Sequence, residues 1–196
     1  MQAKDTPTLI LEAARRCLLA DGYAAMSTRK VADEAGVPLS QIHYHFGSKD
    51  DLILSLLRSV DEGLIERQAN AFASDLPVWK KWELACDFFD EDLSSGYVRV
   101  LQEMTAAGWS SDALGGEMRG IFNGWLSVLA DLAGEAERKG MQLPGLTAKE
   151  LAYLVGAAFV GAESWILLGM EDDVPLRATL RKVGDLIRMA EEGREQ

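Results

Sequence analysis

Residues 27–49 read S-T-R-K-V-A-D-E-A-G-V-P-L-S-Q-I-H-Y-H-F-G-S-K, and this stretch decides the fold. Ser27 is placed to cap a short helix that turns Val31, Ala32 and Ala35 inward and stops at Gly36. Pro38 suits the first turn of a second short helix, which runs to about His45 or Phe46. At about 100° per residue, Leu39, Ile42 and Phe46 gather on one side and must be buried. Ser40, Gln41 and Tyr44 then point away, with His43 and His45 on the two flanks.

These are the only histidines in the chain, and their spacing excludes helical chelation. Residues two apart diverge by roughly 200°, whereas two ligands on one helix need a separation of three or four. No carboxylate precedes them at a spacing that suits acid–base catalysis. The pair of short helices around a glycine-containing turn instead forms a helix-turn-helix pattern, whose second helix lies in a DNA major groove. Ser40, Gln41 and Tyr44 supply hydrogen-bonding groups of suitable length for base edges. His43, His45 and Lys49 are spaced to meet phosphates, and Thr28 and Arg29 stand at the start of the preceding helix.

Outward from this centre the period stays helical, and no alternating run suggests a sheet. Thr6-Pro7 begins a first helix with a stripe of Leu9, Ile10, Ala13, Ala14, Cys17 and Leu18, ended by Gly22. Ser48, with Asp51 in a capping-box position, starts a fourth helix that reaches about Ser74. Longer helices follow near 78–92, 96–107, 112–139, 147–170 and 176–192, which makes about nine in all. The fold class is all-α, with a three-helix DNA-binding domain at residues 1–55. A bundle of longer helices fills residues 56–196.

The chain has 196 residues and a formal charge of −11, an unexpected balance for a partner of nucleic acid. The distribution explains it: residues 1–58 hold seven basic and seven acidic side chains, so the whole excess lies beyond them. Two cysteines 69 positions apart offer neither a disulfide framework nor a zinc spacing, and no cofactor is implied. Met1 is followed by polar residues rather than a signal-peptide core, so the expected compartment is the cytoplasm. Leu151–Met170 has the length and apolarity of a membrane span. Glu163 and Ser164 in its interior, and flanks without basic bias, argue for a core or subunit-interface helix instead.

The stretch S-T-R-K-V-A-D-E-A-G-V, followed by I-H-Y-H-F-G-S-K-D-D-L, resembles the amino-terminal domain of the tetracycline-repressor (TetR) family of transcriptional regulators. The likeness spans about residues 8–57. It implies a dimeric repressor of double-stranded operator DNA, released by a small-molecule effector and without enzymatic activity. Carried across by position, the DNA contacts fall on Thr28, Arg29, Leu39, Ser40, Gln41, His43, Tyr44, His45 and Lys49. His43 departs from the tyrosine usual there, which makes that contact depend on the charge of the ring. Pro38 and Leu39 replace the polar residues common in the turn, leaving Leu39 only apolar contact with a thymine methyl.

All five tryptophans lie beyond residue 77, where aromatics at helical spacing fit either a core or an effector pocket. The lining expected from sequence is Trp82, Cys86, Phe89, Glu103, Met104, Trp109, Phe122 and Trp125. Glu103 reads equally as a partner for a cationic ligand or as a satisfied or surface carboxylate, and the acidic run Asp87, Asp90, Glu91 and Asp92 reads as a solvated helix face. The last two helices carry apolar stripes that would join two subunits in a four-helix interface. The other reading is a helical ligand- or protein-binding module that no longer binds DNA. Neither reading needs a membrane.

Overall fold

The computed structural model describes residues 5–141 and 144–193, apart from the side chains of Asp61 and Glu62. Among the described residues every regular element is a helix: α1 (Thr6–Ala25), α2 (Thr28–Ala35), α3 (Leu39–Phe46), α4 (Lys49–Phe72), α5 (Val78–Ser94), α6 (Tyr97–Gly108), α7 (Asp112–Arg138), α8 (Ala148–Leu167) and α9 (Leu176–Glu192). The break expected from Gly140 to Gly145 contains Gln142 and Leu143, which lie outside the described residues.

Two compact units emerge. One takes the chain through Gly63 together with Arg99–Arg119; the other takes Leu64–Val98 together with the chain from Gly120 onward. The first unit is built on the stripe of α1, with Ile10, Ala13 and Ala14 fully buried and Cys17 and Leu18 nearly so. Val31 and Ala32 of α2, Ile42 of α3, and Leu52, Ile53 and Leu57 of α4 add to this unit's core. Asp5 caps α1, its carboxylate accepting from Thr8 N at 3.0 Å. The helix breaks at Gly22, where φ is 77° and ψ 165°, a conformation that favours glycine.

In the second unit α5 packs along α9. Trp82 joins them, its Nε1 donating to the Leu180 carbonyl at 2.7 Å. Gly184 of α9 lets this happen, since a Cβ there would meet Trp82 Cδ1 at 3.0 Å. Phe159 of α8 gathers three aromatic rings, with centroids 5.7 Å from Trp82, 5.3 Å from Phe89 and 6.3 Å from Trp125. Such tilted and edge-on pairs contribute beyond their burial. Buried Lys81 is neutralised by Glu135 at 2.6 Å. A thrice-built capping box, Thr147 with Glu150, starts α8.

The acidic run of α5 is not a merely solvated face. Asp87 and Asp90 both accept from Arg181 of α9, at 2.8 and 2.7 Å. Glu91 and Asp92 share Arg67 of α4. Helical periodicity could not show this, because the cations come from elements far along the chain. Helix α8 is long and apolar enough to cross a membrane. Its inner face, Ala152, Gly156, Phe159, Ala162 and Glu163, is buried in this unit.

Candidate functional site

Helix α3 is held by local chemistry at both ends. Ser27 Oγ accepts from Lys30 N at 3.2 Å and starts α2. Gly36, at φ 67° and ψ 31°, closes that helix, and Val37 N bonds back to Ala32 O at 3.0 Å. Pro38 then directs the chain into α3, and Gly47, at φ 77°, turns it out again. Ser48 and Asp51 form the expected capping pair: Ser48 Oγ donates to Asp51 Oδ2 at 2.6 Å and accepts from Asp51 N at 3.1 Å.

Within α3 the division of faces follows the helical period. Ile42 is fully buried, while Leu39 and Phe46 are half-buried beside it. Ser40, His43 and Tyr44 are exposed, and Gln41 and His45 are half-buried. Tyr44 keeps 81% of its surface in solvent, with His45 edge-on to its ring at 4.9 Å. Arg29 is exposed and has no hydrogen-bond or ion-pair partner among the described residues; Thr28 beside it is half-buried. Eight of the nine residues expected to contact DNA lie on α2 and α3, and Lys49 starts α4.

Two of these residues carry bonds that helical geometry alone did not announce. His43 Nδ1 lies 2.9 Å from the carbonyl oxygen of Gly47. A carbonyl accepts, so Nδ1 carries the proton and Nε2 faces outward. Lys49 Nζ donates to the Tyr23 carbonyl at 2.5 Å and lies 4.2 Å above the Tyr23 ring centroid. It thus holds the start of α4 to the end of α1.

Tyr23 itself was missing from the sequence reading. Its hydroxyl donates to Asp50 at 2.6 Å, and its phenol is pushed up to about 12, first by burial and then by Asp50. Its backbone N–H donates to Glu103 of α6, whose carboxylate also accepts from Arg99 Nε at 3.1 Å. Arg99 donates in turn to the Leu19 carbonyl at 3.0 Å. No spacing signal reveals this bond, which joins residues 80 apart in sequence. Around the same helices Lys30 pairs with Asp21 at 2.5 Å and Arg16 with Glu34 at 2.6 Å.

The eight residues expected to line an effector pocket are not gathered. Trp82 alone among them lines a cavity of about 390 Å³ enclosed by α5, α7, α8 and α9 in the second unit. Cys86 and Phe89 are packed in the Phe159 core with Trp125 against them. Burial pushes the Cys86 thiol up to about 11, as expected for a packed and inert group. Phe122 is half-buried on α7. Glu103, Met104 and Trp109 belong to the first unit: Glu103 is committed to Tyr23 and Arg99, Met104 is fully buried, and Trp109 is 83% exposed. Aromatic content could not separate core from cavity, since both use the same side chains.

Residues 10–56 match the family described as bacterial regulatory proteins, tetR family. The HTH-type transcriptional repressor AcnR of Corynebacterium glutamicum is 40% identical over 60 residues, 29% of this chain and 32% of the repressor. The chain thus aligns with about a third of that relative's length. Over nearly the whole length the fold is shared with solved structures. The fatty acid degradation regulator FadR from Bacillus halodurans superposes with a TM-score of 0.78 at 18% identity, covering 95% of this chain and 96% of that one. The transcriptional regulator FadR from Bacillus subtilis, in complex with stearoyl-CoA, gives 0.76 at 21% identity, covering 92% and 96%.

Proposed function

We propose, from the premise that the amino-terminal domain of this chain belongs to the tetR family of bacterial regulatory proteins, that the protein is a ligand-responsive transcriptional repressor. In this reading residues 1–55 bind double-stranded operator DNA, and residues 56–196 bind the effector and dimerise. The protein acts in the cytoplasm and performs no catalysis. The observation that carries the reading is the ridge of α3: Tyr44 stands in solvent between exposed Ser40 and His43, on a helix anchored by fully buried Ile42. A large ring held out on a rigid eight-residue helix is an arrangement for contact.

Gln41, Ser40 and Tyr44 read base edges, and Thr28, Arg29, His43, His45 and Lys49 meet the backbone. Leu39 packs against a thymine methyl. Two copies joined through α8 and α9 place two such ridges about one DNA turn apart, roughly 34–36 Å, and so require a near-palindromic site. An apolar effector bound in the second unit favours a spacing that no longer fits the operator. Such coupling needs differential affinity for the two states, typically about 1–3 kcal/mol. Complexes such as that of the Bacillus subtilis regulator with stearoyl-CoA support an apolar effector by analogy of fold.

The test begins with selection of bound sequences from random duplex DNA by the full chain. Gln41→Ala is expected to lower discrimination at one position by about 1–3 kcal/mol. Lys49→Ala is expected to weaken binding to all sequences alike and to reduce the salt slope by about 1. Equal losses on selected and random DNA for both variants would refute the assignment. Failure to bind any duplex at two salt concentrations would favour the helical module without DNA, a reading that the zero net charge of residues 1–58 keeps in play.

A further inference from the structure

We infer that the cavity of the second unit takes an uncharged aliphatic molecule, held by its hydrocarbon chain with no polar anchor. The inference rests on the reading of this unit as the effector-binding one and specifies the ligand's chemistry. Every lining side chain among the described residues is apolar, without a hydroxyl, amide or ionisable group. Trp82 carries the one hydrogen-bond donor in the lining, and its Nε1 is already committed to the Leu180 carbonyl. A carboxylate or ammonium carried inside would lose its hydration and gain no partner, a cost of several kcal/mol.

The floor is formed by Val78, Trp82, Leu132 and Ala152, all buried in this unit, while much of the remaining lining is only partly buried, so the cavity is a deep half-open pocket. Leu186, 60% exposed, and exposed Ala190 bring its lining out to the surface of α9. Its 390 Å³ would accommodate about thirteen groups at the ~30 Å³ that a water-sized group occupies in a liquid. That suits a chain of roughly ten carbons. A small depression shares Ala133, Met141 and Leu151 with the cavity and has Glu137 as its one charged lining residue. A carboxylate head emerging on that side would meet a like charge. The neighbouring charged groups Glu191, Lys139, Glu135 and Lys81 pair with one another and present no spare charge.

The experiment titrates the full chain with decan-1-ol and with decanoate by calorimetry at neutral pH. Decan-1-ol is expected to bind at least ~10-fold more tightly than decanoate, because only the latter leaves an ionised head at an apolar mouth. Ala133→Phe, which fills the chamber, is expected to raise the decan-1-ol Kd by at least ~10-fold. Leu186→Glu, at an exposed position where folding is not at risk, is expected to do the same through the mouth. Circular dichroism establishes that each variant keeps its helices. Equal or tighter binding of decanoate, no binding of decan-1-ol, or wild-type affinity in the folded Leu186→Glu variant would each overturn the inference. DNA selection by the same preparation reports on the regulator reading separately, since it needs no ligand.

Discussion

Asp92 lies buried on α5 with its Oδ1 3.3 Å from Arg67 Nη2, while Glu91 holds the same guanidinium at 2.8 Å. Burial pushes the Asp92 carboxyl up to about 6, and Arg67, already shared, only partly offsets it. The folded value lies above the ordinary 3.8, so the protonated acid favours the folded state. That contribution is complete below about pH 3.8 and is lost as the pH rises through about 6. Asp92→Asn should therefore raise stability by about 1–2 kcal/mol at pH 7.5 and by much less at pH 4.5, allowing for the remaining pull of Arg67. Urea midpoints at the two pH values check this, and an equal gain at both would show that the charge is not the cause. The Tyr44 ridge was legible from sequence because a helix of known period needs only its buried side identified. The shared Arg67 and the His43–Gly47 bond were not legible, since one depends on packing between distant helices and the other on the path of a turn.

Helix limits were largely legible because they are set locally: Ser27, Gly36, Ser48 and Thr147 each act within four residues of their position. The attachment of α6 to α1 was not, because its two ends lie 80 residues apart and Glu103 has the same helical surroundings as a surface carboxylate. Its role follows from two neighbours. Gly22 leaves no room for a Cβ, which would lie 3.0 Å from Glu103 Oε2, and the part-buried Tyr23 N–H needs an acceptor there. Glu103→Ala should cost about 1–3 kcal/mol by leaving that N–H unpaired, whereas Glu103→Gln keeps an oxygen in place. The ion pair lost with Arg99 is half-exposed, so the Gln variant should stay within about 0.5 kcal/mol of wild type. Denaturant unfolding of both separates the bond from the charge: equal costs would assign the effect to electrostatics. Gly22→Ala, at φ 77°, should lose about 1–2 kcal/mol or more in the same assay.

At the scale of the molecule, the apolar stripes of α8 and α9 were visible in the sequence, but period alone could not say which side of each meets its own unit. The structure separates the sides of α8. Phe159 and Ala162 are buried, while Tyr153, Leu154, Ala157, Ala158 and Trp165 lie in solvent. On α9, Met189, outside the cavity lining, is 60% exposed. An apolar face of this extent marks an interaction surface, and small residues at its centre allow a second helix to approach closely. The regulator reading assigns that surface to a second copy, because a two-fold operator needs two reading helices on one body. Leu154→Glu places a charge on the face without touching the cavity or the ridge of α3. It should convert the protein from dimer to monomer in sedimentation while leaving its helical content unchanged. Affinity for a duplex with two half-sites should fall by at least ~10-fold, and affinity for a single half-site should stay as it was. A dimer that persists with unchanged mass would remove α8 from the interface. A monomer that still binds the two-half-site duplex as tightly as wild type would sever dimerisation from recognition, and with it the requirement for a near-palindromic operator.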